Sequence, residues 1–352
     1  MESTELLSRV PDALLAWYDR EARALPWRES RDPYRVWLSE IMLQQTRVEA
    51  VLPYYRRFLE ALPTLEALAA APEEKLLKLW EGLGYYSRAR NLQKAAREAL
   101  ARYGGLPGDE RELIRLPGIG AYTAGAVASI AFSRPVPAVD GNVLRVFARL
   151  TDSHEDVLAP AVRRVTERVA ASILPHDRPG DFNQALMDLG AAVCLPNGAP
   201  RCGDCPLSAF CLGFARGTAA GLPVKAKKKE RRVEEKTVLV LADAEGRAAL
   251  ERRPPRGLLA GLWQFPLIDG FAPEEGVRET LGDLGIEALA VWPLGEAKHI
   301  FTHVEWRMTG FRVLVRGTGP YVWVSPRELG EAYALPSAFA AYRPAAFENL
   351  QF

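Results

Sequence analysis

The chain has 352 residues, 48% of them hydrophobic and 25% charged, with a formal net charge of +1. That length exceeds one comfortable core, so two domains of an ordinary globular protein are expected, and a near-neutral total can still hide a local basic face. No stretch approaches the roughly 18 uninterrupted apolar residues of a membrane span, and the acidic, amphipathic N-terminus is unlike a secretory signal. A cytoplasmic, nucleoid-associated protein without structural disulfides is therefore expected.

Leu6, Leu7, Val10, Leu14, Leu15 and Tyr18 recur at helical spacing over 5–24, and Leu25-Pro26-Trp27-Arg28 breaks that helix. After Asp32-Pro33 one long helix is expected from Tyr34 to Leu62, burying Val36, Trp37, Ile41 and Val48. Glu40 lies beside that stripe, where burial would favour the neutral acid. From Thr64 to Tyr103 two further helices flank Glu81-Gly82-Leu83-Gly84-Tyr85-Tyr86. This loop carries apolar and aromatic side chains on flexible backbone, which suits a wedge or stacking role. Arg88, Arg90, Lys94 and Arg97 follow on one helix, as a phosphate-facing stripe or as an ordinary solvated face.

The stretch Leu116–Asp140 organises the rest. Its turn, Leu116-Pro117-Gly118-Ile119-Gly120, carries two glycines that allow positive φ and close backbone approach. A run of small apolar residues then reads as a helix, whose N-terminal N–H groups face the turn and suit a phosphate. After Pro135 and Pro137 the stretch delivers a lone carboxylate, Asp140, followed by Gly141-Asn142. Helical patterning persists to about Cys194.

All four cysteines, Cys194, Cys202, Cys205 and Cys211, fall within eighteen residues in the pattern C-x7-C-x2-C-x5-C. Four thiolates on a short loop suit a [4Fe–4S] cluster or a zinc site with four cysteine ligands. A composition shift follows at Pro223–Lys236, which has seven Lys or Arg and no apolar periodicity and reads as a linker. Beyond it, strands are expected at Thr237–Ala242, Ala290–Trp292, Trp306–Val315 and Tyr321–Val324, with a helix at Glu274–Leu284. The expected organisation is an all-α domain over 1–217, a basic linker over 218–236 and a smaller α+β domain over 237–352.

WLSEIMLQQTRV, GLGYYSRARN, LPGIGAYTAGA, VDGNVLRV, FNQALMDLGA and the cysteine loop occur here in the order found in MutY-type adenine DNA glycosylases. The C-terminal GLLAGLWQFP and HIFTH segments extend the resemblance over the whole chain. The resemblance implies a helix-hairpin-helix glycosylase with an iron–sulfur loop, followed by a Nudix-like domain. One subdomain would be six contiguous helices, and the other would join the N-terminal helix to the cluster segment. The implied activity is excision of adenine mispaired with 8-oxoguanine or guanine in double-stranded DNA, by a monomer.

Residue by residue, the resemblance implies that Glu40 protonates adenine at N7 and later handles the incoming water. Asp140 stays ionised and stabilises, or transiently attacks, the sugar cation, while Tyr122 and Asn142 orient the pair. Trp27 and Arg28 line the adenine pocket. Gln45, Leu83 and Tyr85 fill the gap left by the flipped base, and Thr46 contacts the DNA substrate. Gly118, Gly120 and Arg88 face phosphate, Phe301-Thr302-His303 reads 8-oxoguanine, and the four cysteines hold [4Fe–4S]. In the related endonuclease III, a Schiff-base lysine stands two places after the second hairpin glycine; here that residue is Tyr122, which implies a monofunctional enzyme. The chain departs from the family in two ways. Its first cysteine gap is one residue longer than the usual x6. Its Nudix box, Arg278–Ile286, has Gly282 and Asp283 where metal-binding glutamates would stand, so binding rather than nucleotide hydrolysis is expected there.

Overall fold

The computed structural model describes residues 6–196, 198–226 and 230–347. Two compact units divide the chain: Met1–Ala70 with Arg90–Lys227, and Ala71–Ala89 with Lys228–Phe352. In chain order the first helices are α1 (Val10–Glu21), α2 (Pro33–Leu43), α3 (Val48–Ala61), α4 (Leu65–Ala70), α5 (Glu73–Leu79) and α6 (Ser87–Tyr103). Next come α7 (Glu110–Ile114), α8 (Ala121–Phe132), α9 (Gly141–Leu150), α10 (Pro160–Ser172), α11 (Pro179–Ala192) and the short α12 (Leu212–Ala215). No strand occurs before Arg232 among the described residues.

The expected long helix over 34–62 is two helices. The chain breaks at Gln44–Arg47, with Gln45 in the left-handed region at φ 58°. Apolar spacing runs through this break without a glycine or proline, so the pattern conceals it. Asp32 starts α2 by accepting the Arg35 amide at 2.8 Å, and Pro33 occupies the first turn, where its missing N–H costs nothing.

Helices α7 and α8 and the turn between them form the hairpin. Gly118 sits at φ 77°, and a Cβ there would lie 2.7 Å from the Asn91 Cβ, so glycine is required on both counts. Gly120 has an ordinary φ of −95° and open space around it, so the expected need for positive φ holds only for Gly118. A second core joins α1, through Val10, Leu14, Trp17 and Tyr18, to Phe147 of α9, Phe182 and Leu186 of α11, and Leu207. Cys194, Cys205 and Cys211 pack against this same core. The N-terminal helix thus supports the cysteine loop.

In the second unit a seven-stranded sheet has the order β3-β2-β1-β6-β5, with β4 on β1 and β7 on β2. Its strands are β1 (Arg232–Ala242), β2 (Ala248–Arg252), β3 (Trp263–Gln264), β4 (Leu267–Asp269), β5 (Glu287–Ile300), β6 (Val304–Arg316) and β7 (Val322–Val324). Helix α13 (Glu274–Asp283) precedes β5 and α14 (Pro326–Glu331) follows β7. Strand β1 is longer than its apolar signal. Its basic beginning, expected as linker, pairs in parallel with β6 from Arg232 opposite Val304 onward. Residues 227–229 of the expected linker lie outside the described residues.

Both faces of β1 are buried. Val238 and Val240 point into one core with Phe265, Trp306 and Phe339, while Leu239 and Leu241 point into another with Val277 and Leu281 of α13. This period-2 alternation between two cores explains why the strand reads as an unbroken apolar run.

Candidate active site

A cleft of about 920 Å³ in the first unit gathers the four expected catalytic residues and five of the expected binding residues. Glu40, Asp140, Tyr122, Asn142, Trp27, Arg28, Gln45, Thr46 and Gly120 all line it. Glu40 is only 5% exposed, and the Tyr122 hydroxyl donates to its Oε2 at 2.5 Å. Burial raises the Glu40 carboxyl to about 7, with Asp140 adding to the rise; the Tyr122 hydrogen bond and the Arg28 charge hold it back. Tyr122 is itself driven well above its ordinary value, chiefly by burial, so it keeps its proton and donates.

Asp140 caps helix α9. Its Oδ1 accepts the Val143 amide at 2.8 Å and its Oδ2 accepts Asn142 Nδ2 at 2.7 Å. Burial raises its carboxyl, opposed by these donors and by Arg145. The first turn of α9 also presents its positive dipole end there, which favours the anion. The two carboxylates thus differ in what surrounds them: the Tyr122 hydroxyl donates to Glu40, and a set of amide donors at a helix N-terminus surrounds Asp140.

Several supports were invisible to spacing. Buried Asn183 accepts the Ala138 amide at 3.0 Å and donates to Val136 O and Ser129 Oγ, at 2.9 and 2.8 Å. These bonds fix the proline-rich segment that delivers Asp140. Arg145 donates to Asn142 Oδ1 at 2.9 Å and to Gly190 O at 2.7 Å. Gly190 carries no Cβ because one would lie 2.6 Å from the Asn142 Cβ. Asp188, almost fully buried, receives Arg28 through both carboxylate oxygens, at 2.7 and 2.9 Å, and Arg23 Nε at 2.7 Å. Burial pushes the Asp188 carboxyl up, but Arg28 and Arg23 outweigh it and the net direction is down. Asn183 and Asp188 both lie in FNQALMDLGA, which is the only signal the sequence offered for them.

Cys194, Cys202, Cys205 and Cys211 line one hollow, which is mainly apolar. Arg149 reaches it, donating from Nη1 to Cys194 Sγ at 3.2 Å. Burial raises the Cys205 thiol to about 12, with the neighbouring thiols adding to the rise. Among the described residues, no three His, Cys, Asp or Glu side chains converge closely enough to hold a single metal ion. The longer first cysteine gap includes residue 197, outside the described residues.

The remaining expected site residues lie elsewhere. Gly118 is in the hairpin turn. Leu83, Tyr85 and Arg88 belong to the second unit, as do Phe301, Thr302 and His303. Leu83 is turned inward and 7% exposed, whereas Tyr85 is 47% exposed with φ 47°. Arg88 is also buried, and its Nη2 donates to Leu83 O at 2.9 Å and Gly84 O at 3.2 Å. It braces the loop instead of standing on a solvated face. Phe301–His303 form the tip of the β5–β6 hairpin, closed by the Phe301 amide on Val304 O at 2.8 Å. Phe301 packs edge-on against Trp306, while Thr302 and His303 are exposed.

The helical hairpin and buried carboxylate cleft define a class. Residues 38–171 match the HhH-GPD superfamily of base excision DNA repair proteins, and residues 237–343 match the NUDIX domain. The adenine DNA glycosylase of Homo sapiens is 35% identical over 89% of this chain and 68% of its own length. That of Buchnera aphidicola subsp. Baizongia pistaciae is 33% identical over 83% of this chain and 82% of its own. Among solved structures, a thermostable thymine-DNA glycosylase aligns with a TM-score of 0.55 at 27% identity, covering 61% of this chain and all of that one. A trapped endonuclease III–DNA covalent intermediate aligns at 0.52 and 27% identity, covering 61% of this chain and 98% of that one. The chain belongs to the MutY-type adenine DNA glycosylase family. It is a DNA glycosylase of base excision repair that acts on DNA to remove adenine. No described helix is long and apolar enough to cross a membrane.

Proposed function

We propose that this enzyme removes adenine paired with 8-oxoguanine, or with guanine, by acid-catalysed hydrolysis of the N-glycosidic bond and without a lyase step. The observation that carries this reading is the Glu40 carboxyl, buried in the cleft, held by the Tyr122 hydroxyl at 2.5 Å and raised to about 7. A carboxyl titrating near neutral pH is suited to give its proton to N7 of a flipped adenine, which makes the base a better leaving group. Asp140, surrounded by amide donors, supplies the negative charge facing the oxocarbenium-like sugar. Glu40, now a carboxylate, then takes a proton from the attacking water.

Trp27 and Arg28 bound the base pocket, with Arg28 oriented by Asp188. Gln45, exposed at the α2–α3 break, and Tyr85 are the side chains suited to enter the stack. Backbone amides at the start of α8 hold a phosphate. Tyr122 has no amine, and no lysine lines the cleft among the described residues, which supports a monofunctional enzyme.

The cysteine hollow fits a [4Fe–4S] cluster. Its donors are four thiols, its walls are apolar, and a guanidinium donates to one sulfur, which suits thiolates bound to iron. When bound, the cluster supplies a structural staple for the 194–211 loop; the cleavage itself transfers no electrons. The second unit reads the base opposite adenine through Thr302 and His303, and hydrolyses no nucleotide because Gly282 and Asp283 replace the metal-binding glutamates. The protein works as a monomer in the cytoplasm, on the nucleoid.

The test is a duplex bearing adenine opposite 8-oxoguanine, sampled with and without alkali. Strand scission only after alkali is expected. Absence of abasic sites would overturn adenine excision, and a borohydride-trappable covalent complex would overturn the monofunctional assignment.

A further inference from the structure

Helix α5 and the loop after it belong to the same compact unit as the C-terminal sheet, although 138 residues of the first unit (Arg90–Lys227) separate them in sequence. Two side chains contribute to the join. Lys78 Nζ donates to Leu329 O at 2.8 Å and Tyr333 O at 3.1 Å, and pairs with Glu81 Oε2 at 2.6 Å. All three ammonium protons are therefore engaged. The two carbonyls lie in and just beyond the last turn of α14, where a cation completes unpaired acceptors and complements the helix dipole. Glu81 Oε1 accepts the Leu335 amide at 3.1 Å and Arg343 Nη1 at 3.1 Å. The Lys78 and Glu81 side chains are only 16% and 15% exposed, so solvent screens them less than it would a surface pair.

From this anchor a continuous brace leads to the loop tip. Trp80, fully buried, donates from Nε1 to Gly84 O at 3.1 Å. Arg88 lies over the rings of Trp80 and Tyr85 and bonds the carbonyls of Leu83 and Gly84. At the tip the hydroxyls of Tyr85 and Thr302 stand 3.0 Å apart. Anchor, brace and tip join the loop to the β5–β6 hairpin within one unit.

We propose that Lys78 and Glu81 are positioning residues that clasp the Gly82–Tyr86 loop to the C-terminal domain, so that Tyr85 and Thr302 meet DNA as one preassembled reader. The clasp rests on the preceding reading that Thr302 and His303 inspect the base opposite adenine. Loop and hairpin need not then find each other on the DNA, and the ordering cost falls before binding.

The test uses the full-length holoprotein with Lys78→Met and Glu81→Leu, which remove the donors and the acceptor while keeping apolar bulk. In the first measurement, amide hydrogen exchange without DNA, peptides covering 82–86 and 333–335 should exchange at least about tenfold faster, while peptides from α8 and α9 stay unchanged. Unchanged exchange at 82–86 would overturn the clasp. In the second, the single-turnover rate ratio for adenine opposite 8-oxoguanine against guanine should fall roughly threefold to tenfold. The double variant Lys78→Met/Thr302→Val should be no worse than Thr302→Val alone, because both act through one contact. Faster exchange with an unchanged ratio, or additive losses, would overturn the positioning role. If the parent shows no preference between the two duplexes, the lesion-reading assignment has failed instead, and the exchange result alone decides whether the clasp exists.

Discussion

The carboxylate cleft and the β5–β6 hairpin handle polar groups in opposite ways. Glu40 and Asp140 are enclosed by the protein, and each carboxylate is matched to named donors within it. Thr302 and His303 stand exposed at a hairpin tip, and the hydrogen bonds described for these two residues are the Tyr85–Thr302 contact and the backbone bond from the Arg232 amide to His303 O. The contrast follows from the work proposed for each. Proton transfer at neutral pH needs a carboxyl shifted by desolvation, and desolvation needs burial before the substrate arrives. Reading a base needs donors and acceptors that stay open until the base itself satisfies them. One region's energetics are set in the free protein and the other's only in the complex, so substitutions should separate them.

The largest separation is expected at the carboxylates. Glu40→Gln keeps the shape but has no proton to give, and Asp140→Asn keeps the α9 cap through its Oδ1 while removing the charge. Single-turnover excision should fall by at least about 10²-fold for each, with duplex affinity changed far less because phosphate contacts dominate it. A rate within about threefold of the parent would remove that carboxylate from the chemistry.

Burial of Glu40 also predicts a stability effect, in the direction opposite to its value for catalysis. Its pKa is about 7 when folded, against an ordinary 4.5, so the folded state holds the proton more tightly than the unfolded one. The contribution is fully present below about pH 4.5 and is lost as pH rises through about 7. The total is of order 3 kcal/mol at most, from the separation of the two values. Glu40→Gln lacks this loss. Relative to the parent it should therefore gain stability between pH 5 and pH 8, read as a rising difference in denaturation midpoint. A difference that shrinks with pH would show that the carboxyl is not desolvated.

A smaller effect is expected at the hairpin. Thr302→Val and His303→Ala should each lower the preference for 8-oxoguanine over guanine by roughly tenfold, the scale of one or two hydrogen bonds. Excision of adenine opposite guanine should stay within about threefold. Equal losses on both duplexes would merge the two regions into a single function.

How much of this could be read beforehand differs between the regions. The carboxylates, the hairpin and the cysteine loop sit in compact motifs whose spacing is their geometry, so the sequence carried them. Asn183, Asp188 and Arg145 were not legible as supports, because their partners are Ala138, Arg28 and the Gly190 carbonyl, 45, 160 and 45 residues away. The break at Gln45 was hidden because apolar spacing continues across it. In the second unit, short strands such as Trp263–Gln264 carry too few residues to show alternation. Arg88 read as one of a basic stripe, but its guanidinium turns inward because the loop carbonyls of Leu83 and Gly84 need donors.

The finest test concerns how Tyr122 tunes its neighbour. Its hydroxyl donates to Glu40, which favours the carboxylate and offsets part of the rise that burial imposes. Tyr122→Phe removes that donor and keeps the ring, so the Glu40 carboxyl should move further up, not down. If protonated Glu40 is the active form, excision falls as pH rises through its pKa. The variant's alkaline limb should then lie higher than the parent's, by roughly half to one pH unit, the equivalent of one modest hydrogen bond. The plateau rate at low pH should fall only modestly, because the acid remains but is less firmly oriented. A merely structural tyrosine would lower the rate at every pH alike and leave the limb where it was. A limb displaced downward would mean that Tyr122 stabilises the protonated acid, and the proposed direction of proton donation in the cleft would have to be reversed.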